Sequence, residues 1–185
     1  STVGRLGMIG KSTASTGGSG AILQGKVDGK ADINLEGYTA SISSVQGLVI
    51  QEAVKSAEGN ITVTGQTLAT TQRAVALTAN GSIYGSLQTL GNQKSITIHA
   101  NTLLINAGST VNAGSTGTVN VRTTTSGNEI WVGGADVMAA TLASQKLGLD
   151  AAELNRITAA HLVIGDTAQT GNVTVTAATT TLAQT

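Results

Sequence analysis

Five short stretches repeat one pattern with variations: Gly or Asn, then a short run of alternating apolar, largely β-branched, and mostly polar residues, then Gly or Asn again. They are GNITVTG (59–65), KSITIHAN (94–101), GTVNVRT (117–123), NEIWVGG (128–134) and GNVTVTA (171–177). Each has the period of a half-buried strand. Strands this short bury too little to hold a core alone, but copies stacked on one another bury a continuous ladder. The pattern therefore constrains the chain to an all-β coil of strands, a parallel β-solenoid.

The residues available for a core agree with this. The 185-residue chain is 40% apolar, with no Phe, one Trp and two Tyr, so Ile, Val, Leu and Ala must fill the interior. Small aliphatic side chains suit a thin core between stacked coils. Pro is absent and Gly numbers 24, which leaves the turns to Gly and Asn. Ten basic and ten acidic residues cancel, giving no electrostatic footprint for nucleic acid or an anionic membrane. With no Cys, disulfides and thiol chemistry are excluded. No apolar run reaches the length of a membrane-spanning helix. The chain begins at Ser1 and ends in TAATTTLAQT, and is expected to be a piece of a longer polypeptide.

Along the chain, residues 1–31 are the least regular, with a flexible Gly/Ser stretch at 11–20 and a possible first strand at 22–27. The solenoid is expected over 32–185. Asn80-Gly81 predicts a turn between two strands. Residues 94–123 predict four strands centred near 97, 104, 111 and 120, a spacing that gives about 20 to 25 residues per coil. Ile61, Val63, Ile96, Ile98, Val119, Val121, Ile130, Val132, Val173 and Val175 are expected to point inward. Thr62, Thr64, Thr97, His99, Asn120, Arg122, Trp131, Thr174 and Thr176 are expected to point outward. Asp150-x-x-Glu153 is a capping box with Leu149 and Leu154 placed as a staple, predicting a short helical insertion near 151–157.

Residues 133–175 carry a further signature: Gly-Gly-Ala-Asp, a linker, Leu-x-Leu-Asp-x-x-Glu-Leu-x-Arg-Ile, a link, then Leu-x-Ile-Gly-Asp and a Gly-led strand. This resembles a segment of filamentous-haemagglutinin-like bacterial exoproteins, large proteins generally secreted through the outer membrane by a partner protein. The resemblance implies a right-handed parallel β-helix at the bacterial cell surface, with a role in adhesion or in spanning distance. The handedness also follows the general rule for parallel crossovers. The Asn-rich motifs of the family's secretion-recognition region are absent, which points to repeat or stalk sequence.

No catalytic or cofactor-binding constellation stands out, and no enzyme activity, cofactor or metal is expected. The acidic residues are thinly spread. Asp28, Asp32 and Glu36 come closest to a cluster, but their spacing of four suits a helix rather than a strand face, and a solvated surface is the expected reading. His99 and His161 would have to meet across several coils to act together. The glycine runs GGSG and VGGAD match no phosphate-binding loop, and the calcium-binding nonapeptide is missing. The sequons at Asn60, Asn80 and Asn172 and the Thr-x-Thr pairs at 62–64 and 174–176 follow from a Thr/Asn-rich strand style.

Trp131 is the candidate contact residue. It is expected outside the coil, where a lone aromatic could stack on a sugar or a partner protein, unless the helix near 151–157 packs over it. Tyr38 and Tyr84, placed in turn-rich contexts, pose the same choice more weakly. The expected function is a section of an extracellular surface adhesin or filament, a stiff rod presenting weak multivalent contacts to a cell-surface glycan or protein. A self-assembling fibre module associating end to end and a carbohydrate-active enzyme on a β-helix are the alternatives.

Overall fold

The computed structural model describes residues 5–13, 17–42, 45–136 and 145–176. Within them the chain is all-β with one short helix. The strands are β1 (Leu6–Ser12), β2 (Ala21–Leu23), β3 (Val27–Gly29), β4 (Ile33–Thr39), β5 (Leu48–Ile50), β6 (Ala53–Ser56), β7 (Ile61–Thr67), β8 (Val75–Leu77), β9 (Ala79–Asn80) and β10 (Ile83–Tyr84). After them come β11 (Ser86–Thr89), β12 (Ser95–His99), β13 (Leu103–Ile105), β14 (Thr110–Arg122), β15 (Glu129–Val132), β16 (Lys146–Leu149), helix α1 (Ala151–Leu154), β17 (Ile157–Ile164) and β18 (Val173–Val175). Only the β9–β10 hairpin is antiparallel; every other described pairing is parallel.

The pairings form columns, because each strand meets its counterpart from the next pass of the chain. One column runs β1, β4, β7, β12, the second half of β14 and the second half of β17. Another runs β3, β6, β11 and the first halves of β14 and β17. The third runs β2, β5, β8, β13. The 13-residue β14 belongs to two columns and joins the strands expected near 111 and 120 into one. The early passes are longer than the sequence predicts, Leu23 pairing with Ile50 and Ile50 with Leu77, 27 residues on each time, whereas Leu87 to Val111 and Ile96 to Val119 span 24 and 23, within the expected range. Insertions lengthen other passes, the first being the β9–β10 hairpin at the expected Asn80-Gly81 turn, where Gly81 takes φ +64.

The core is a stack of aligned aliphatic rows. Ile33, Ile61, Ile96 and Val119 form one, and Leu35, Val63, Ile98 and Val121 the next, all at most 2% exposed. The two middle strands of the third column read as unbroken apolar runs, Leu48-Val49-Ile50 and Val75-Ala76-Leu77, because they are buried on both faces, whereas Ile22 of β2 is exposed and Leu104 of β13 is half-buried. Two of the expected inward residues are not covered: Val173 and Val175 are 50% and 67% exposed. They align with buried Ile130 and Val132, but β18 is the outermost strand of its sheet and no described strand lies beyond it.

A second repeat, hidden in the sequence, makes the corner between the first and third columns. Ile33-x-Leu-x-Gly37-x-Thr39, Ile61-x-Val-x-Gly65-x-Thr67 and Ile96-x-Ile-x-Ala100-x-Thr102 occupy equivalent positions. A Cβ on Gly65 would lie 1.9 Å from the Ala74 carbonyl oxygen, so this pass turns its corner without one, whereas the next pass buries the methyl of Ala100 at the equivalent position. The buried threonines then tie the turn down. Thr39, Thr67 and Thr102 donate to the carbonyls of Gly18, Val45 and Gln72 at 3.0, 3.1 and 3.1 Å, and each accepts a backbone N–H.

The lead-in 1–31 holds three described strands, β1, β2 and β3, all paired into the columns. Part of its Gly/Ser stretch, 14–16, lies outside the described residues. The helix is shorter than the predicted 151–157: Ile157 opens β17, whose pairing with Val111 takes over after one turn.

Candidate functional site

The excursion between β14 and β17 breaks the sequential order. β15 pairs with β16 on one side and β18 on the other, so the later strand β16 lies on the side of β15 facing β13. No backbone ladder joins β13 to β16 among the described residues. The upper edge of β13 is therefore open, and three charged side chains close it. Arg73 donates to the Leu103 carbonyl at 3.2 Å, the Glu153 carboxylate accepts the Ile105 N–H at 2.9 Å, and Arg156 donates to the Ile105 carbonyl. Arg73 is itself paired with Asp136 through two contacts.

Glu153 has a double task. Its other carboxylate oxygen accepts the Asp150 N–H at 3.1 Å while Asp150 accepts the Glu153 N–H at 2.7 Å, completing the predicted capping box. The residue is 2% exposed. Burial pushes its carboxyl up to about 7 against the N–H of Ile105, with the charge of Asp136 adding to the rise. The sequence marks Glu153 as a cap; that it also seals a strand edge 48 residues away has no local signal.

Trp131 stands on the outward side of β15, as expected, and is half-buried. Its indole N–H donates to Glu129 at 2.9 Å, Lys146 lies 4.2 Å from the ring centroid, and Lys146 pairs with Glu129 at 2.9 Å. Hydrogen bonds from Lys146 and Trp131 hold the Glu129 carboxyl below its ordinary value. Gly148, in register with Trp131, puts no side chain beside the ring. The ring is thus held by a cation and a carboxylate from the same sheet, while the buried Glu153 of α1 serves the β13 edge.

The two histidines are not brought together. His99 is in register with Thr64 and Arg122, whereas His161 is in register with Thr118 at the other end of the same face. Burial, followed by the charge of Arg122, holds His99 below the ordinary imidazole value. Asp28, Asp32 and Glu36 are also apart in role. Asp28 pairs with Lys26 at 2.8 Å, Asp32 accepts the Asn60 N–H at 2.8 Å, and Glu36 accepts the Asn34 side-chain amide at 2.9 Å. Among the described residues no group of three or more His, Cys, Asp or Glu is placed to hold a metal ion. No helix among them is long and apolar enough to cross a membrane.

Tyr38 departs from the turn context read in the sequence. It lies within β4 on the outward face of the first column, with Lys11 5.7 Å from its ring centroid. A shallow depression of about 230 Å³ surrounds it, lined by Ile9, Lys11, Glu36, Thr64 and Gln66. A second depression of about 230 Å³ lies beside it, lined by Gln66, Leu68, Asn101 and Thr124 among others. Tyr84, on the hairpin, packs instead against Gly108, where a Cβ would come within 2.6 Å of its ring.

No family model matches this chain, and neither the curated proteins nor the solved structures contain a match.

Proposed function

We propose that this chain is a section of an extracellular bacterial surface adhesin or filament, a right-handed parallel β-helix acting as a stiff, non-catalytic rod that presents weak multivalent contacts. The observation that carries this reading is the register of the first column, in which Ile33, Ile61, Ile96 and Val119 align on successive passes. Interlocked backbone ladders of this kind resist bending and repeat their outward residues at fixed intervals, which suits a spacer that adds many weak contacts. The right hand follows the general preference of parallel crossovers. The family resemblance of 133–175 supports the surface location, although 137–144 of that segment lie outside the described residues.

A second reading, a fibre module that associates end to end, draws support from the apolar side chains exposed on the outermost described strands, Met8 and Ile9 on β1 and Val173 and Val175 on β18. The test compares cell-surface binding by the free chain with binding by the same chain displayed in many copies on a bead. The adhesin reading expects binding to rise steeply with copy number and to weaken in Trp131→Ala. Equal, negligible binding by both forms, together with rods that lengthen as concentration rises, would favour the fibre module.

A further inference from the structure

We propose that the outward face of β1, β4, β7 and β12 carries a groove along the rod axis that binds a linear, neutral polysaccharide. This rests on the reading of the chain as a contact-presenting rod and names what one face of it contacts. Strand pairing places Lys11, Tyr38 and Gln66 side by side on successive passes. Continuing the β7–β12 register by two residues sets Asn101 beside Gln66, and Thr124 follows on the next pass, its N–H bonded to the Asn101 side-chain oxygen at 2.9 Å. The two depressions described above share Gln66 and succeed one another along this row, and the proposed trough runs through both.

The chemistry of the trough selects the ligand. Tyr38 is 37% exposed and offers an aromatic plate, the surface on which the C–H face of a pyranose stacks. Among the described residues the Tyr38 hydroxyl, the Thr64 hydroxyl and the Gln66 side-chain amide have no hydrogen-bond partner, so donors and acceptors stand free beside the plate. Lys11 and Glu36 cancel in charge, and no basic cluster flanks them, which disfavours a polyanion. Strands repeat every ~4.8 Å along the axis. That rise is close to the length of one pyranose in an extended β1,4-linked chain, so successive sugars meet successive passes. Glu36 is the single carboxylate of the trough, and glycoside hydrolysis in its usual form needs a pair, so the site holds a chain without cutting it.

The test titrates the purified chain with hexasaccharides of β1,4-linked glucose, β1,4-linked N-acetylglucosamine and a uronic acid, following backbone amide shifts. The expected result is that a neutral hexamer moves the amides of Lys11, Tyr38, Gln66 and Asn101, with an affinity insensitive to salt and at least tenfold above that of the trisaccharide. Tyr38→Ala should weaken binding at least tenfold while circular dichroism stays unchanged, and Tyr38→Phe should retain it. The proposal is overturned if no neutral hexamer binds at about 10 mM, if the shifts fall elsewhere, if folded Tyr38→Ala binds like the parent, or if only the uronate binds. Cell-surface adhesion that survives in Tyr38→Ala would count against the groove alone. Saccharide binding without any adhesion would count against the rod reading and leave the groove standing.

Discussion

Replacing Glu153 by Gln should flatten part of the chain's pH dependence and stabilise it in mild alkali. The carboxyl has an ordinary value of 4.5 and is raised to about 7 in the folded protein, so between those values the folded state binds more protons than the unfolded state. A raised carboxyl contributes stability that is complete below 4.5 and lost as pH climbs through 7. A difference of 2.5 pKa units corresponds to about 3 kcal/mol at most. Protonated Glu153 is neutral, with a carbonyl acceptor and one O–H donor; Gln stays neutral at every pH, with a carbonyl acceptor and an amide NH2 that donates. Gln keeps one acceptor for the Ile105 N–H and turns a donor toward the Asp150 N–H, giving up about 1 kcal/mol. The net expectation at pH 8 is a gain of about 1 to 2 kcal/mol over the parent. Urea unfolding at pH 5 and pH 8 for both proteins measures it, and subtraction of one from the other removes the slopes of the remaining groups. Parallel pH slopes in parent and variant, or a Gln variant clearly less stable at pH 8, would mean that the buried Glu153 carboxyl does not set this part of the pH dependence.

Other expectations follow from the corners and the core. Gly65→Ala should cost about 3 kcal/mol in urea unfolding, because its Cβ would meet the Ala74 carbonyl. Gly7→Ala, with nothing within 4 Å of its new Cβ, should be neutral or gain about 0.5 kcal/mol. Thr67→Val leaves the Ala69 N–H and the Val45 carbonyl without their partner and should lower stability by about 2 kcal/mol. Lys146→Ala removes the cation over the indole. As Trp131 is the one tryptophan of the chain, acrylamide quenching of its fluorescence should rise while the unfolding midpoint barely moves.

The aliphatic rows were legible in the sequence because their period is local: Ile61, Val63, Ile96 and Ile98 alternate with polar residues and are fully buried. Val173 and Val175 show the same alternation and yet are exposed, since alternation fixes which way a side chain points and not whether another layer covers it. Asp150 and Glu153 announced a helix start by their spacing, but its length was decided by β17, whose pairing with β14 begins at Ile157. The Gly-x-Thr corners were present in the sequence as Gly37-x-Thr39 and Gly65-x-Thr67. Reading each strand from its leading Gly or Asn hid them, because the threonine comes six residues after the first apolar residue. The insertion of β16 between β13 and β15 had no local signal at all, being set by which strand edge the returning chain meets. Tyr38 was hidden similarly: its flanking Gly37 suggested a turn, whereas that glycine is the inward corner residue of a strand.

Successive passes of the chain lie side by side in parallel, including across the long excursion from β14 to β17. Because the chain has no Cys, paired substitutions read this directly. Thr62 with Thr97, and Asn120 with Val163, are in-register neighbours on the outward face. Neighbouring strands at ~4.8 Å lie within the Cα separation a disulfide spans. Thr62→Cys/Thr97→Cys and Asn120→Cys/Val163→Cys should each close an intramolecular disulfide under mild oxidation. Thr62→Cys/Val163→Cys, three passes apart, should not. Closure of the distant pair, or failure of both neighbouring pairs, would contradict the stacked architecture.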